Sequence, residues 1–425
     1  MTDQTQRASR RAMVAVGLST VIEWYDFTLC LYFAPTLSRV FFGSDGESLG
    51  KTLAGFAIAY VMRPVGAIIF GQFGDRHGRR PTLLLSMALM TIAMLALALL
   101  PTYQQVGAVA GLLLIVMRCV MGFSIGGEYA AVVAYLYETA PAHRRGLVTS
   151  LAAAASEIGG LLAVGLCSWL TANLDGPSLD SWGWRIPFLV GALLAATIWL
   201  VRAIVPEPPA FVAARESGNV ATSPLLRSLG VARRSIAIGF AISALGSITY
   251  YVGITYVPAF IKLTNAADDA TALHLSTMAA LCVIIVTPIV GGLSDIVGRK
   301  LVLLVLSGLC VLLPPLLFDL LLSQWALLAV VMLAVLAGGV SAVGAVATAE
   351  QFPASIRLSG LALGATTATA IFGGAAPFLA YELQRWSSAP ATPGLMIAAV
   401  AIVSGATLFA IMPSRPLPEA RAGDA

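Results

Sequence analysis

The sequence predicts an all-α membrane protein whose twelve transmembrane helices form two pseudo-symmetric six-helix bundles. Three observations lead there. Hydrophobic residues fill 58% of the 425 positions and charged residues 11%, against about 25% charged in an ordinary soluble domain, so lipid is the solvent for most of the chain. Apolar runs such as Leu83 to Leu100, Leu303 to Leu322 and Ile397 to Ile411 recur along it, near the length of about 20 residues that a bilayer core demands. One loop motif also occurs twice, roughly half a chain apart: Gly71-Gln72-Phe73-Gly74-Asp75-Arg76-His77-Gly78-Arg79-Arg80 and Gly291-Gly292-Leu293-Ser294-Asp295-Ile296-Val297-Gly298-Arg299-Lys300. A second echo, E-x-x-P-x-x-x-R, joins Glu138, Pro141 and Arg145 to Glu350, Pro353 and Arg357. Two different motifs repeating at nearly one offset mark a duplicated half.

Loops placed at charge clusters give the spans in order. Span 1, Ala12–Pro35, follows Arg7, Arg10 and Arg11; it holds Glu23 and Asp26 and has no small-residue cleavage pattern, so it is no signal peptide. Span 2, Thr52–Phe73, runs into the first loop motif, and span 3, Pro81–Leu100, leaves it. Span 4, Val106–Tyr137, and span 5, Gly146–Ala172, flank the first E-x-x-P-x-x-x-R, while span 6, Ile186–Val205, stops at the longest polar stretch, Pro206 to Arg234. Beyond it lie span 7, Ser235–Ile261, and span 8, Leu273–Leu293, which reaches the second loop motif. Span 9, Leu301–Leu322, span 10, Trp325–Ala349, span 11, Gly360–Leu383, and span 12, Pro393–Ile411, complete the set. The expected organisation is an N-terminal bundle over 1–205, a cytoplasmic linker over 206–234, a C-terminal bundle over 235–413 and a short cytoplasmic tail over 414–425.

Orientation follows from Lys and Arg. The N-terminus, even-numbered loops and tail hold Arg7, Arg10, Arg11, Arg76, Arg79, Arg80, Arg144, Arg145, Arg202, Arg215, Arg227, Arg233, Arg234, Arg299, Lys300, Arg357, Arg415 and Arg421. The opposite side keeps Arg39, Lys51, Arg185, Lys262 and Arg385. The positive-inside rule then puts both termini in the cytoplasm, as in a multi-pass protein of a bacterial-type inner membrane. The net charge of +4 reflects this bias and implies no nucleic acid. Cys30, Cys119, Cys167, Cys282 and Cys310 fall inside apolar spans and suggest no disulfide framework. His77, His143 and His274 lie far apart near loops and make no metal site.

Six ionisable residues lie within the membrane spans of the N-terminal half: Glu23, Asp26, Arg63, Arg118, Glu128 and Glu157. Each costs at least ~2.5–3.5 kcal/mol facing lipid at the centre, so each should face a partner or a watery cavity. At 1.5 Å per residue, Arg63 lies ~18 Å from Asp75, and Asp26 ~22 Å from Arg11. Together with Arg118 these residues can share the midplane. Glu128 and Glu157 lie nearer the inner side and can form a second cluster. Four carboxylates against two guanidiniums leave the set short of positive charge, so at least one carboxyl is expected to take a proton. Asp26 is the first candidate carrier, with Arg118 competing with the proton, and Glu128 the second; a structural ion pair between helices is the alternative for each, Glu23 included. The matching spans of the C-terminal half hold no central charge and offer Tyr250, Tyr251, Tyr256 and the small polar surface around Thr366 to Gly374. Tyr251 and Tyr256 flank Gly253 and precede Pro258, where a broken helix can expose backbone groups. Runs such as Gly126-Gly127 and Gly159-Gly160 are read as helix-packing sites.

Asp75, at the end of its own helix, should cap another helix's N-terminus or pair with an Arg. Because the motif repeats, gating roles are expected for Gly71, Asp75, Arg76, Arg79, Arg80, Asp295 and Arg299, and for Glu138, Arg145, Glu350 and Arg357.

The loop residues Gly71, Asp75, Arg76, Gly78, Arg79 and Arg80, with Arg118, Gly122 and Gly126 on span 4, resemble the major facilitator superfamily over essentially the whole chain. A narrower resemblance is to its metabolite:proton symporter family. Glu23-Trp24-Tyr25-Asp26-Phe27, Arg63-Pro64, Gly122-Phe123-Ser124, Gly126-Gly127-Glu128-Tyr129, Trp182-Gly183-Trp184-Arg185-Ile186-Pro187-Phe188 and Phe352-Pro353 with Arg357 carry it. The resemblance implies two bundles rocking about a central site, with proton-driven import of an organic acid or a zwitterion such as proline or betaine. Arg63 or Arg118 would meet the carboxylate, and Tyr25, Glu157, Tyr251 and Tyr256 are further substrate-binding candidates. No cofactor is expected beyond the proton as coupling ion. The partners are the bilayer, a small metabolite and protons, and a monomer is expected. A proline/betaine-type osmolyte importer and a proton-coupled exporter are the alternatives. Only Ser414 to Ala425 follow the last span, so osmotic sensing by the long coiled-coil tail of some relatives is not expected. Ile296 stands where Arg76 does in the first copy, which weakens a symmetric gate. An enzyme would need a nucleophile–base or metal cluster and a receptor a soluble output domain; the sequence offers neither.

Overall fold

The computed structural model describes residues 3–43, 48–203, 206–216, 232–264, 266, 269–387 and 389–414. Most of the tail expected over 414–425 and part of the linker fall outside the described residues. Among the described residues the chain is helical throughout, with no strand. In an apolar solvent a backbone must satisfy its own polar groups, and a helix does so within one segment.

The spans appear at their expected places: Asp3–Tyr32, Ser48–His77, Arg79–Ala98, Val109–Thr139, Arg145–Asn173 and Arg185–Ala203, then Arg233–Tyr250 with its continuation, Asp269–Val297, Arg299–Leu320, Ala326–Ala349, the interrupted segment from Arg357 to Ser387, and Thr392–Ile411. Ten of the described helices are long and apolar enough to cross a membrane by length and composition. The helices of spans 1 and 2 have 30 residues each, which at 1.5 Å per residue is ample for a bilayer core.

Three spans depart from a simple continuous helix. Span 1 ends at Tyr32 rather than Pro35, and a separate helix, Ala34–Phe42, begins there with proline in its first turn, where the missing N–H costs nothing. Its Leu37, Val40 and Phe41 are buried in the N-terminal core. Span 7 runs as a helix to Tyr250, a π-turn over Tyr251–Thr255 and a short helix Val257–Leu263, which is the break suggested by Gly253 and Pro258. Span 11 carries two π-turns, Ala362–Thr366 and Ala370–Gly374. Such turns concentrate at functional positions.

The chain divides into two compact units: Met1–Tyr135 with Ala155–Pro208, and Leu136–Ala154 with Pro209–Ala425. In the first, span 6 packs on spans 1 and 3, around a core that includes Tyr25, Met87, Met94, Trp184 and Phe188. Glycines set the closest approaches: a Cβ at Gly126 would strike the Arg63 carbonyl, and one at Gly159 the Val21 carbonyl. These runs therefore pack helices, as small residues do in lipid. In the second unit span 12 packs on spans 7 and 9, and span 10 on spans 7, 8 and 9, with Leu245, Phe260, Phe318 and Val340 fully enclosed.

Candidate functional site

Asp26 and Arg118 meet inside the first unit. Arg118 Nη1 donates to Asp26 Oδ2 at 2.7 Å, and both side chains are buried. Asp26 Oδ1 is buried with no hydrogen-bond partner. Arg118 also lines a pocket with Phe27, Cys30, Ala59, Tyr60, Arg63, Gly122 and Ile125. Its cavity volume is about 20 Å3, above the ~10–15 Å3 that admits one water. Arg63 lies over the rings of Tyr60 at 4.6 Å and Phe27 at 5.1 Å, which shields a buried cation with π faces. The three residues expected to share a level, Asp26, Arg63 and Arg118, are thus brought together.

Glu128 sits elsewhere in the same unit. Ser86 Oγ donates to its Oε2, and Arg202 Nη1 stands 2.7 Å from its Oε1. The second contact is an ion pair by distance rather than an aligned hydrogen bond, since that nitrogen donates to the Leu83 carbonyl at 3.2 Å and Oε1 accepts none. Arg202 further donates to Ser19 Oγ and, at 3.4 Å, to the Val16 carbonyl.

Arg202 therefore corrects the sequence reading, which counted it with the cytoplasmic basic residues. It is 1% exposed. Standing in the last turn of span 6, its long side chain leans back toward the helix N-terminus and enters the bundle. The buried set is four carboxylates against three guanidiniums. Glu23, 3% exposed, stands on span 1 between Ser19, which touches Arg202, and Asp26, which touches Arg118, and its Oε2 has no hydrogen-bond partner.

The remaining candidates are distributed as follows. Tyr25 is in the apolar core and its hydroxyl donates to the Pro187 carbonyl at 2.8 Å. Glu157 is buried on span 5. In the second unit Tyr251 packs edge-on against Tyr250, and Tyr256, 2% exposed, has a buried hydroxyl without a partner.

The loop motifs build two related constructions. Gly78 and Gly298 have φ of 117° and 100° and stand at the N-caps of spans 3 and 9, a left-handed region that L side chains resist. Each motif then forms an i,i+4 ion pair: Asp75 with Arg79 at 3.1 Å, both fully buried, and Asp295 with Arg299 at 2.6 Å. The final basic residue of each motif binds carbonyls near the end of its half's last helix, Arg80 on Ala203 and Lys300 on Phe409 and Met412. In the first unit the Glu207 carboxylate accepts from the Arg79 and Arg80 amides, where the positive end of span 3 favours an anion. In the second, Asp295 accepts from the amides of Gly146 at 2.8 Å and Leu147 at 2.9 Å, so for this copy both expected contacts of the motif acid, a cap and an Arg, are made. Gly71 is buried and Arg76 exposed.

The E-x-x-P-x-x-x-R echo is interleaved within the second unit. Glu138 of the first copy pairs with Arg357 of the second, while Glu350 accepts from Arg299 at 3.3 Å. Arg145 and Arg357 both lie on the ring of Tyr137, at 4.3 and 4.6 Å, and Arg145 donates to its hydroxyl at 2.9 Å. Burial pushes the Glu350 carboxyl above its ordinary range, with Arg299 and Arg145 pulling the other way. Away from these clusters, a two-pronged hydrogen bond from Arg39 to Asp180 raises the Arg39 guanidinium.

Known proteins resemble the chain along its length. The Major Facilitator Superfamily model matches residues 16–355. The alpha-ketoglutarate permease of Escherichia coli is 32% identical over 88% of this chain and 88% of its own. The ectoine/proline transporter ProP of Corynebacterium glutamicum is 31% identical over 96% and 85%, and the citrate-proton symporter of Klebsiella pneumoniae 30% over 92% and 89%. Among solved structures, the proton:xylose symporter XylE bound to 6-bromo-6-deoxy-D-glucose superposes with a TM-score of 0.82 at 19% identity, covering 97% of this chain and 98% of that one. The fold is thus the two-bundle arrangement read from the repeats, and the chain belongs to the major facilitator superfamily.

Proposed function

We propose that this protein is a proton-coupled symporter that imports a small carboxylate-bearing metabolite, an organic acid or a zwitterion, by alternating access. The observation that carries the reading is the pairing of Asp26 with Arg118 beside a pocket that Arg63 also lines. With Asp26 ionised, Arg118 is neutralised by it. When Asp26 takes a proton the ion pair is lost, and a substrate carboxylate becomes the better partner for a planar, two-pronged guanidinium. Proton and substrate then load together because each favours the state the other needs. Glu128 and Glu23 are secondary proton-handling groups, and Tyr25, Glu157, Tyr251 and Tyr256 remain substrate-site candidates.

The relatives support this reading by what their names state: two are named for α-ketoglutarate and citrate, one for ectoine and proline. The loop clusters are the gates in this account. On the second unit, Asp295 with Arg299, Glu138 with Arg357 and Glu350 with Arg299 are contacts that can be exchanged as the site opens; Gly71, Asp75, Arg76, Arg79, Arg80 and Arg145 serve the same step. Both termini lie in the cytoplasm in this account, by the distribution of Lys and Arg, and the protein works as a monomer.

The test is uptake by purified protein in liposomes against a panel of radiolabelled α-ketoglutarate, citrate, ectoine and proline, with an imposed pH gradient, inside alkaline. Accumulation of one of them that collapses with a protonophore supports the reading. Accumulation indifferent to the protonophore contradicts proton coupling, and net expulsion driven by the opposite gradient identifies an exporter.

A further inference from the structure

The interior of the first unit contains a second carboxylate–guanidinium pair that substrate binding does not use. Arg202 joins four spans: its own span 6, Glu128 on span 4, the Leu83 carbonyl on span 3, and Ser19 and Val16 on span 1. Span 1 itself connects this pair to the Asp26 site. Ser19, Glu23 and Asp26 follow at i, i+4 and i+7, on one face of the helix, and all three are buried. Ser19 touches Arg202; Asp26 touches Arg118; Glu23, between them, touches neither by hydrogen bond, though Arg63, Glu128 and Arg202 act on it. Its buried Oε2 and Asp26 Oδ1 are both without hydrogen-bond partners. One helical turn, about 4.5 Å of rise, separates the two residues. A purely structural ion pair would need no such open acceptors, because an uncompensated buried polar atom is costly.

We infer that Arg202 and Glu128 form an inner proton station, and that Glu23 relays the proton between it and Asp26. In this account the proton leaves the Asp26 carboxyl, restoring the bond to Arg118, and is taken up by the Glu23 carboxylate. It passes on to Glu128, whose ion pair with Arg202 it breaks, and it is released to water at the cytoplasmic side when that pair re-forms. Each transfer before that release moves one proton from a carboxyl group to a carboxylate. The groups that face this path are Arg63 from span 2, Ser86 from span 3, Arg118, Glu128 and Tyr129 from span 4, and Arg202 from span 6. Arg202 is a positioning residue: it acts by holding the Glu128 carboxyl in place beside Ser86, and it meets no substrate.

The inference rests on the symport reading, and the experiment separates the two. Liposomes containing the protein and a trapped pH dye are given whichever of α-ketoglutarate, citrate, ectoine or proline the wild type accumulates, and substrate-driven proton entry is recorded together with substrate counterflow from pH 5 to 8. Without proton entry in the wild type, the symport reading falls and this proposal with it. With proton entry present, Arg202→Gln and Glu128→Gln should retain counterflow, lose its pH dependence, and reduce proton-driven accumulation by ~5–150-fold, the range of ordinary coupling energies. Arg202→Lys should restore both in part. The double variant Arg202→Gln/Glu128→Gln, which removes both charges together, is the check on folding. If it unfolds at the wild-type temperature yet still fails to couple, the proposal stands. If it accumulates substrate like the wild type, or if the single variants lose counterflow and accumulation in equal measure with an unchanged pH profile, Arg202 is a structural pin and the proposal is overturned.

Discussion

Arg118 holds Asp26 through one carboxylate oxygen at 2.7 Å and leaves the other without a hydrogen-bond partner in the interior of the first unit. A carboxylate arranged this way keeps one acceptor open. Removing one member of a buried pair strands the other, at a typical cost of ~3–5 kcal/mol. Asp26→Ala should therefore lower thermal stability far more than the double change Asp26→Asn/Arg118→Gln, which removes both charges. Differential scanning fluorimetry in detergent distinguishes these outcomes; equal losses would mean that the pair carries no stored electrostatic burden.

Gly78 and Gly298 predict a second effect. Both adopt positive φ at a helix N-cap, so alanine should cost about 1–2 kcal/mol at each from backbone strain alone. Gly78→Ala should be the worse of the two, because a Cβ there meets the Glu207 carboxylate while Gly298 has open space. The comparison of the two unfolding temperatures checks it.

Asp295 serves two amides and a guanidinium simultaneously. Each hydrogen bond to a charged group contributes ~1.5–3 kcal/mol, so Asp295→Ala should free the N-terminus of span 5. Faster hydrogen exchange at the amides of Gly146 and Leu147 than in the parent is the expected result.

Tyr137 offers a test of the cation–π contacts. Tyr137→Phe keeps a ring beneath Arg145 and Arg357 but loses the bond from Arg145; Tyr137→Leu loses both. If the ring matters, leucine should cost a further ~0.5–2 kcal/mol relative to phenylalanine, read as a difference in unfolding temperature.

Glu350 gives a pH dependence with a definite sign. Burial raises its carboxyl above the ordinary value of 4.5 despite Arg299, so the folded chain keeps this proton after the unfolded chain has lost it. Its contribution to stability is then full below pH 4.5 and falls as pH rises toward the folded-state value. Glu350→Gln should flatten the dependence of unfolding temperature on pH in that window. A steeper dependence in the variant would reverse the sign.

Much of the fold is legible in the sequence because span length and hydropathy are set by the bilayer, and because a duplicated half repeats its punctuation. The break at Gly253 and Pro258 in span 7 was readable from residue types, as was the grouping of Asp26, Arg63 and Arg118 from helix rise. Arg202 was not. The positive-inside rule sorts basic residues by chain position, and only the packing shows that this side chain turns back into the bundle to meet Glu128. The unpaired acid in the middle of span 4 was the available signal, since a buried Glu needs a cation. The pairing of Glu138 with Arg357, 219 residues apart, was likewise hidden, because the repeat fixes the spacing within each copy and says nothing of the acid of one copy meeting the base of the other. The helix at Ala34–Phe42 was not separated from span 1, although Pro35 in its first turn marks a helix start.

The most direct test of the account is the transport behaviour of Asp26→Asn. In liposomes preloaded with the substrate that the wild type accumulates, counterflow exchange and accumulation driven by an inside-alkaline pH gradient are measured on the same preparation. The account predicts that exchange remains measurable while gradient-driven accumulation is abolished. Gradient-driven accumulation equal to that of the wild type would contradict it.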